Sequence, residues 1–254
     1  MIKDFRTYIN EGLFDRNHSE FNIRKTDKGI EQVYIPKTKD ELFSYIDIDI
    51  EQAKKDGTYP NVNLNNIDIS ELKNNELDGL FGDDMYKQIN PDISNWNIEY
   101  IPNNFFDNNE QIKEFTVPNG VTSIGDYAFD YCSSLKSVTI SNSVTSIGER
   151  AFRNCTGLTS VVIGDGVTNI GDYAFYNCKC LTSIEIPNSV TKIGDGVFLF
   201  CGDLTSVEIP DSVTRIGSCA FYYCDELVSV TISKNCHIDT KSFSKNCKII
   251  RRDD

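Results

Sequence analysis

The stretch from Val121 to Ile140, VTSIGDYAFDYCSSLKSVTI, returns 23 residues later as VTSIGERAFRNCTGLTSVVI, and three further copies follow. A fixed period in the twenties is the mark of a solenoid: one unit cannot bury its apolar side alone, so units stack like on like. Aligned, the copies form columns. Val121, Val144, Val167, Val190 and Val213 open the units. Ile124, Ile147, Ile170, Ile193 and Ile216 follow, each before a glycine. Phe129, Phe152, Phe175, Phe198 and Phe221 come next, then Leu135, Leu158, Leu181, Leu204 and Leu227.

Each unit carries two local patterns. LKSVTI (Leu135–Ile140) ends in the alternation of a half-buried strand. GDYAFDYC places Ala128, Phe129 and Cys132 on one face of a short helical turn. The preceding glycine would loosen the backbone where the coil bends, and Asp126, Asp172 and Asp195 beside it suit a helix start. Turns follow the strands at Pro118, Pro187 and Pro210.

The unit L-x-x-V-x-I-P-x-S-V-T-x-I-G-x-x-A-F-x-x-C resembles the BspA-like, Treponema-type leucine-rich repeat, with five close copies over 121 to about 232. The fold implied is an α/β solenoid: a right-handed coil with short parallel strands on a concave face and short helical turns on a convex one. Such families are mostly binding and adhesion scaffolds. Around this core we divide the chain into an amphipathic arm (1–14), an N-terminal helical cap (15–60), the solenoid (61–232) and a C-terminal cap (233–254). Within the solenoid, coils 61–117 are divergent and 118–232 regular. NPDISNWN, in the divergent part, resembles a sister class of BspA-type repeat.

In the N-terminal cap, Thr38 and Glu41 have capping-box spacing. A helix is expected from about 39 to 55, ended by Gly57, with Leu42, Tyr45, Ile46, Ile50 and Ala53 on its apolar face. The run IDIDI also fits a strand. Asp47, Asp49 and Glu51 do not make a calcium loop, because Gln52 stands where glycine is required. The arm aligns Ile2, Phe5, Ile9 and Leu13 on one helical stripe, which suits docking on its own domain. Its pattern M-x-K-x-F-x-x-Y-I-x-E-G also resembles the capsid-targeting leader of tailed-phage head proteins. That resemblance implies cleavage between Glu11 and Gly12 and a phage head, or another assembly, as partner.

Nine cysteines would suggest disulfides, but Cys132, Cys155, Cys178, Cys201, Cys224 and Cys247 recur once per repeat. They read as a column of buried, reduced thiols acting as small hydrophobes. No C-x-x-C pair and only two histidines, His18 and His237, argue against zinc, and no cofactor is implied. The net charge of −13 repels phosphate backbones, so nucleic acid is not an expected partner. No membrane span and no secretory signal are read, which points to a cytoplasmic or virion-borne chain. No G-x-S-x-G, H-E-x-x-H or phosphate-binding loop occurs, and we expect no enzyme.

Two surfaces are candidates for binding a protein or glycan. On the strand side, Ser137, Ser160, Ser183, Ser206 and Ser229 form an outward column, and Glu185 and Glu208 stand in the next. The alternative for the serines is that a sheet curving inward needs short side chains. On the helical side, Tyr127, Tyr173, Tyr176, Phe200, Tyr222 and Tyr223 should point outward, and clustered exposed aromatics mark interfaces. The alternative there is that the rings lean over neighbouring coils and cover the core. Three readings follow: a non-enzymatic interaction scaffold, virion-associated if the arm's resemblance holds; a BspA-like surface adhesin; and, least favoured, a glycan-acting enzyme using the concave carboxylates.

Overall fold

The computed structural model describes residues 21–252 apart from 27, 28, 35, 37, 60, 65–71, 73–76, 83–85 and 95. The arm, with Glu11 and Gly12, lies outside the described residues. The first elements are an antiparallel hairpin, β1 (Phe21–Thr26) and β2 (Gly29–Tyr34), which the expected helical cap did not include.

Helix α1 (Lys39–Asp56) resolves the helix–strand ambiguity of IDIDI. Thr38 Oγ1 accepts the Glu41 N–H at 3.2 Å, and Gly57 closes the helix in a left-handed conformation. Asp40 and Glu41 sit in the first turn and Lys54 and Lys55 in the last, the signs that complement the helix dipole. Leu42, Tyr45, Ile46, Ile50 and Ala53 are all buried, and α1 packs against β3 (Asn61–Asn63) of the first coil. β3 pairs in parallel with β4 (Asn90–Asp92).

Each later coil contributes two strands. One series is a seven-stranded parallel sheet of two-residue strands: β5 (Tyr100–Ile101), β7 (Ser123–Ile124), β9 (Ser146–Ile147), β11 (Asn169–Ile170), β13 (Lys192–Ile193), β15 (Arg215–Ile216) and β17 (His237–Ile238). The other is the L-x-x-V-x-I series: β6 (Glu114–Thr116), β8 (Ser137–Ile140), β10 (Ser160–Ile163), β12 (Ser183–Glu185), β14 (Ser206–Glu208), β16 (Ser229–Ile232) and β18 (Lys248–Arg251). Register follows the period: Ile124 faces Ile147, and Val138 faces Val161. The interior is a column of phenylalanine rings from Phe81 through Phe106, Phe129, Phe152, Phe175, Phe198 and Phe221 to Phe243. Phe129 and Phe152 are 5.0 Å apart between centroids, and Phe152 and Phe175 5.2 Å. These steps match the roughly 4.8 Å strand spacing, so one repeat height serves backbone and core alike.

Three local expectations change. The segments expected as short helical turns are runs of β-turns. Ala151 N–H bonds the Gly148 carbonyl and Cys155 N–H the Phe152 carbonyl, with Arg150 and Asn154 left-handed at the third positions. Alternate N–H groups point to the next coil instead of up a helix: Tyr127 to Glu149, Phe129 to Ala151, Tyr131 to Arg153. The glycine column owes its identity to close approach rather than to bending: a Cβ on Gly171 would lie 2.7 Å from the Glu149 nitrogen. The adjacent aspartates start no helix either. Asp126 Oδ1 accepts the Glu149 N–H at 2.7 Å, and Asp172 and Asp195 repeat the bond to the coils above them.

The region expected to cap the C-terminus continues the stack. β17 extends the seven-stranded sheet, Phe243 stacks on Phe221, and β18 pairs with β16. The step from Arg215 to His237 is 22 residues, which explains why Phe243 falls one place early in the sequence.

Candidate functional site

The strand side presents the expected columns. Ser160, Ser183, Ser206 and Ser229 are exposed and Ser137 is half-buried, because alternate strand residues turn outward while Val138, Ile184, Val207 and Val230 turn in. Glu185 and Glu208 are exposed and directly opposed on β12 and β14. Like charges in that position oppose pairing, so the pair favours a cationic group laid across it. Among the described residues, no cluster of three metal-ligating side chains occurs.

The turn side gathers more chemistry. Six successive coils each hold two left-handed residues four apart: Asn104 and Asn108, then Tyr127 and Tyr131, Arg150 and Asn154, Tyr173 and Asn177, Gly196 and Phe200, Cys219 and Tyr223. Asn and Gly tolerate that conformation, whereas other residues incur about 1–2 kcal/mol. Here tyrosine, arginine and phenylalanine occupy it. The Arg150 guanidinium lies between the Tyr127 and Tyr173 rings, 5.4 and 5.3 Å from their centroids, and also bonds the Tyr127 hydroxyl. Arg153 lies over Tyr127 and Tyr131 and grips Asp130 through Nε and a second nitrogen, 2.9 and 2.5 Å away.

Towards the C-terminus the stripe becomes purely aromatic. Tyr173 meets Tyr176 edge-on at 6.1 Å, and Tyr176 meets Phe200 at 5.6 Å. Phe200 and Tyr223 stack at 4.8 Å and 4°, and Tyr223 tilts against Tyr222 at 4.3 Å. The structure thus brings the aromatic candidates together, Tyr127 joining through Arg150. Tyr127, Tyr173, Tyr176 and Tyr222 are half-buried as rings leaning on neighbouring coils, while Phe200 (38%) and Tyr223 (45%) remain exposed. Sequence reasoning missed Tyr131, which is 47% exposed, and Arg150, Arg153 and Asp130. The signal was in the columns: Arg150 falls between Tyr127 and Tyr173, and Arg153 one period after Asp130.

Residues 55–159 and 122–250 match the BspA-type leucine-rich repeat region, in six copies. The chain belongs to the BspA-type leucine-rich-repeat family. A solved leucine-rich repeat protein from Bacteroides ovatus aligns over 78% of this BspA-type chain and 55% of its own, at 23% identity and a TM-score of 0.56, and shares the fold. A T. pallidum leucine-rich repeat protein is 39% identical over 47% of this chain and 58% of its own, with a TM-score of 0.46. A leucine-rich cell surface protein from Faecalibacterium prausnitzii is 38% identical over 49% of this chain and 33% of its own, with a TM-score of 0.47. Each match spans less than two thirds of the solved protein. No curated protein matches the chain.

The cysteine column of this BspA-type chain is structural. Cys132, Cys155, Cys178, Cys201 and Cys224 are buried, and each thiol donates to a phenylalanine carbonyl one coil back, at 3.0–3.3 Å. Burial pushes all five thiols upward, Cys224 to about 12. The thiolate needed for nucleophilic or metal chemistry is therefore disfavoured at these five positions. Among the described residues, no helix is long and apolar enough to cross a membrane.

Proposed function

We propose that this BspA-type chain is a non-enzymatic binding scaffold whose turn side receives a protein partner. One observation carries the reading. The exposed Phe200–Tyr223 stack occupies left-handed positions that Asn fills in two neighbouring coils, at Asn154 and Asn177. The fold by itself would be served better by Asn there, so the rings answer to something outside the fold. Flat aromatics with few rotatable bonds are the side chains that dominate protein interfaces. The disarmed thiol column supports a role without covalent chemistry. The tailed-phage resemblance rests on the arm alone and adds no described residue to this reading.

The test is the double variant Phe200→Asn/Tyr223→Asn. Losing the ring stack costs about 0.5–1.5 kcal/mol, and relief of the two left-handed positions offsets it, so the melting midpoint should stay near wild type. Binding to any purified protein partner of the wild-type chain should fall at least tenfold by titration calorimetry. A folded double variant that keeps full affinity rules the turn-side reading out and moves attention to Glu185 and Glu208.

A further inference from the structure

The strand side is divided into short ladders. At two divisions, β10 to β12 and β14 to β16, the strands still lie side by side. β4 and β6 belong to separate sheets, and both line a cavity of about 510 Å³. That volume lies within the roughly 300–1,000 Å³ range of ligand pockets.

The cause is a proline. In a parallel ladder, alternate residues turn both backbone groups to the same neighbour. The Asp92 carbonyl accepts the Leu64 N–H on the β3 side, so Pro91 faces β6. Proline has no N–H to give, so β4 cannot supply the ladder bond expected there. On the opposite wall, Val117 N–H bonds the Thr139 carbonyl, so Phe115 and Val117 face β8. Glu114 and Thr116 then turn their N–H and C=O groups into the cavity. β6 is thus an unpaired strand edge inside a cleft, the arrangement that captures extended peptides by strand addition.

The walls select the occupant. Half-buried Phe115 supplies apolar surface above the buried Val62 and Ile93, while Asp92 and Glu114 are exposed carboxylates and, among the described residues, no lysine or arginine lines the cleft. We propose that the β4–β6 cleft binds an extended, lysine-bearing peptide segment of a partner protein, which lies beside β6 and completes its ladder. Alternate side chains of such a segment would meet the apolar floor and the two carboxylates in turn. The site stands apart from the turn-side stripe and does not depend on it.

The probe is the blocked peptide Val-Lys-Val-Lys-Val-Lys, with a Val-Glu counterpart and a copy N-methylated at alternate amides. The Glu114 and Thr116 amides should exchange rapidly in the free protein and slow at least tenfold with the lysine peptide. The Val-Glu and N-methylated peptides should leave them unchanged. Asp92→Asn/Glu114→Gln, with an unchanged circular dichroism spectrum, should weaken the lysine peptide about tenfold. Three results overturn the proposal: amides already protected in the free protein, protection that rises with protein concentration alone and so reports a second copy, or a lysine peptide that leaves both amides exchanging freely.

Discussion

The Cys155 thiol donates to the Phe129 carbonyl in the preceding coil, 3.1 Å away, and that carbonyl also accepts the Cys132 N–H of its own coil. The thiol therefore fills the second lone pair of a buried acceptor, a task a bare hydrophobe could not perform.

This column makes stability fall in alkali. Burial raises the thiols of Cys132, Cys155, Cys178, Cys201 and Cys224 in the folded state, while in the unfolded chain they ionise from about pH 8.5. Their contribution is complete below that value and declines as pH rises towards the folded-state pKa, by about 1.4 kcal/mol per thiol per pH unit. Urea melts at pH 7.5 and 9.5 should show the loss. A Cys155→Ser variant should reduce its slope, and at pH 8 a thiol reagent should leave the five buried cysteines unmodified.

The columns of Val, Ile, Phe, Cys and Leu were legible in the sequence because stacking puts identical side chains in identical environments, and selection acts on each copy alike. The backbone between them was not. Tyr127, Arg150 and Tyr173 have no preference for left-handed conformations; bonds to the next coil impose them, and propensity is blind to such tertiary constraints. Asn104, Gly196, Asn154 and Asn177 in the same two columns were the available hint. Helix α1 was readable from Thr38 and Gly57. The hairpin β1–β2 was not, since Asp27-Lys28 between its strands lacks the Asn-Gly or Asp-Gly signal. The β4–β6 cleft depends on which way Pro91 faces, and that follows only from the β3 pairing.

The glycine column sets the coil spacing. Gly171 has no left-handed backbone, so alanine is permitted by conformation, yet its Cβ would meet Glu149 N and Gly148 C at 2.7 Å. Both contacts are backbone, so the two coils must separate. Gly171→Ala should cost about 1–3 kcal/mol, the range of overpacking. Gly120→Ala, left-handed but with nothing within 4 Å, should cost only its backbone strain of about 1 kcal/mol. A Gly171→Ala variant that melts with wild type would contradict close approach as the reason for the column.

Asp130 depends on Arg153. The carboxylate side chain is 4% exposed and its bidentate partner 29% exposed. Arg153→Ala would leave a buried charge unpaired, at a cost of about 2–4 kcal/mol after allowing for the partly wet guanidinium. Adding Asp130→Asn should restore much of that loss, and a double-mutant cycle on denaturation midpoints measures the coupling. Additive effects would mean that the two side chains act independently.

Among the described acids, Asp49 is the one the fold tolerates least. It lies on α1 between Ile48 and Ile50, its Oδ2 is buried with no hydrogen-bond partner among the described residues, and burial pushes its pKa up to about 7. In the unfolded chain the same group ionises near pH 4. Its folded-state proton is retained longer, so stability is full below about pH 4 and declines as pH rises to about 7. Asp49→Asn removes the charge and keeps the shape. At pH 4 the variant should melt with wild type; at pH 8 it should be more stable by about 2–4 kcal/mol, the scale of a three-unit shift discounted for partial burial. A variant equally displaced at both pH values would show that packing, and not ionisation, governs the position.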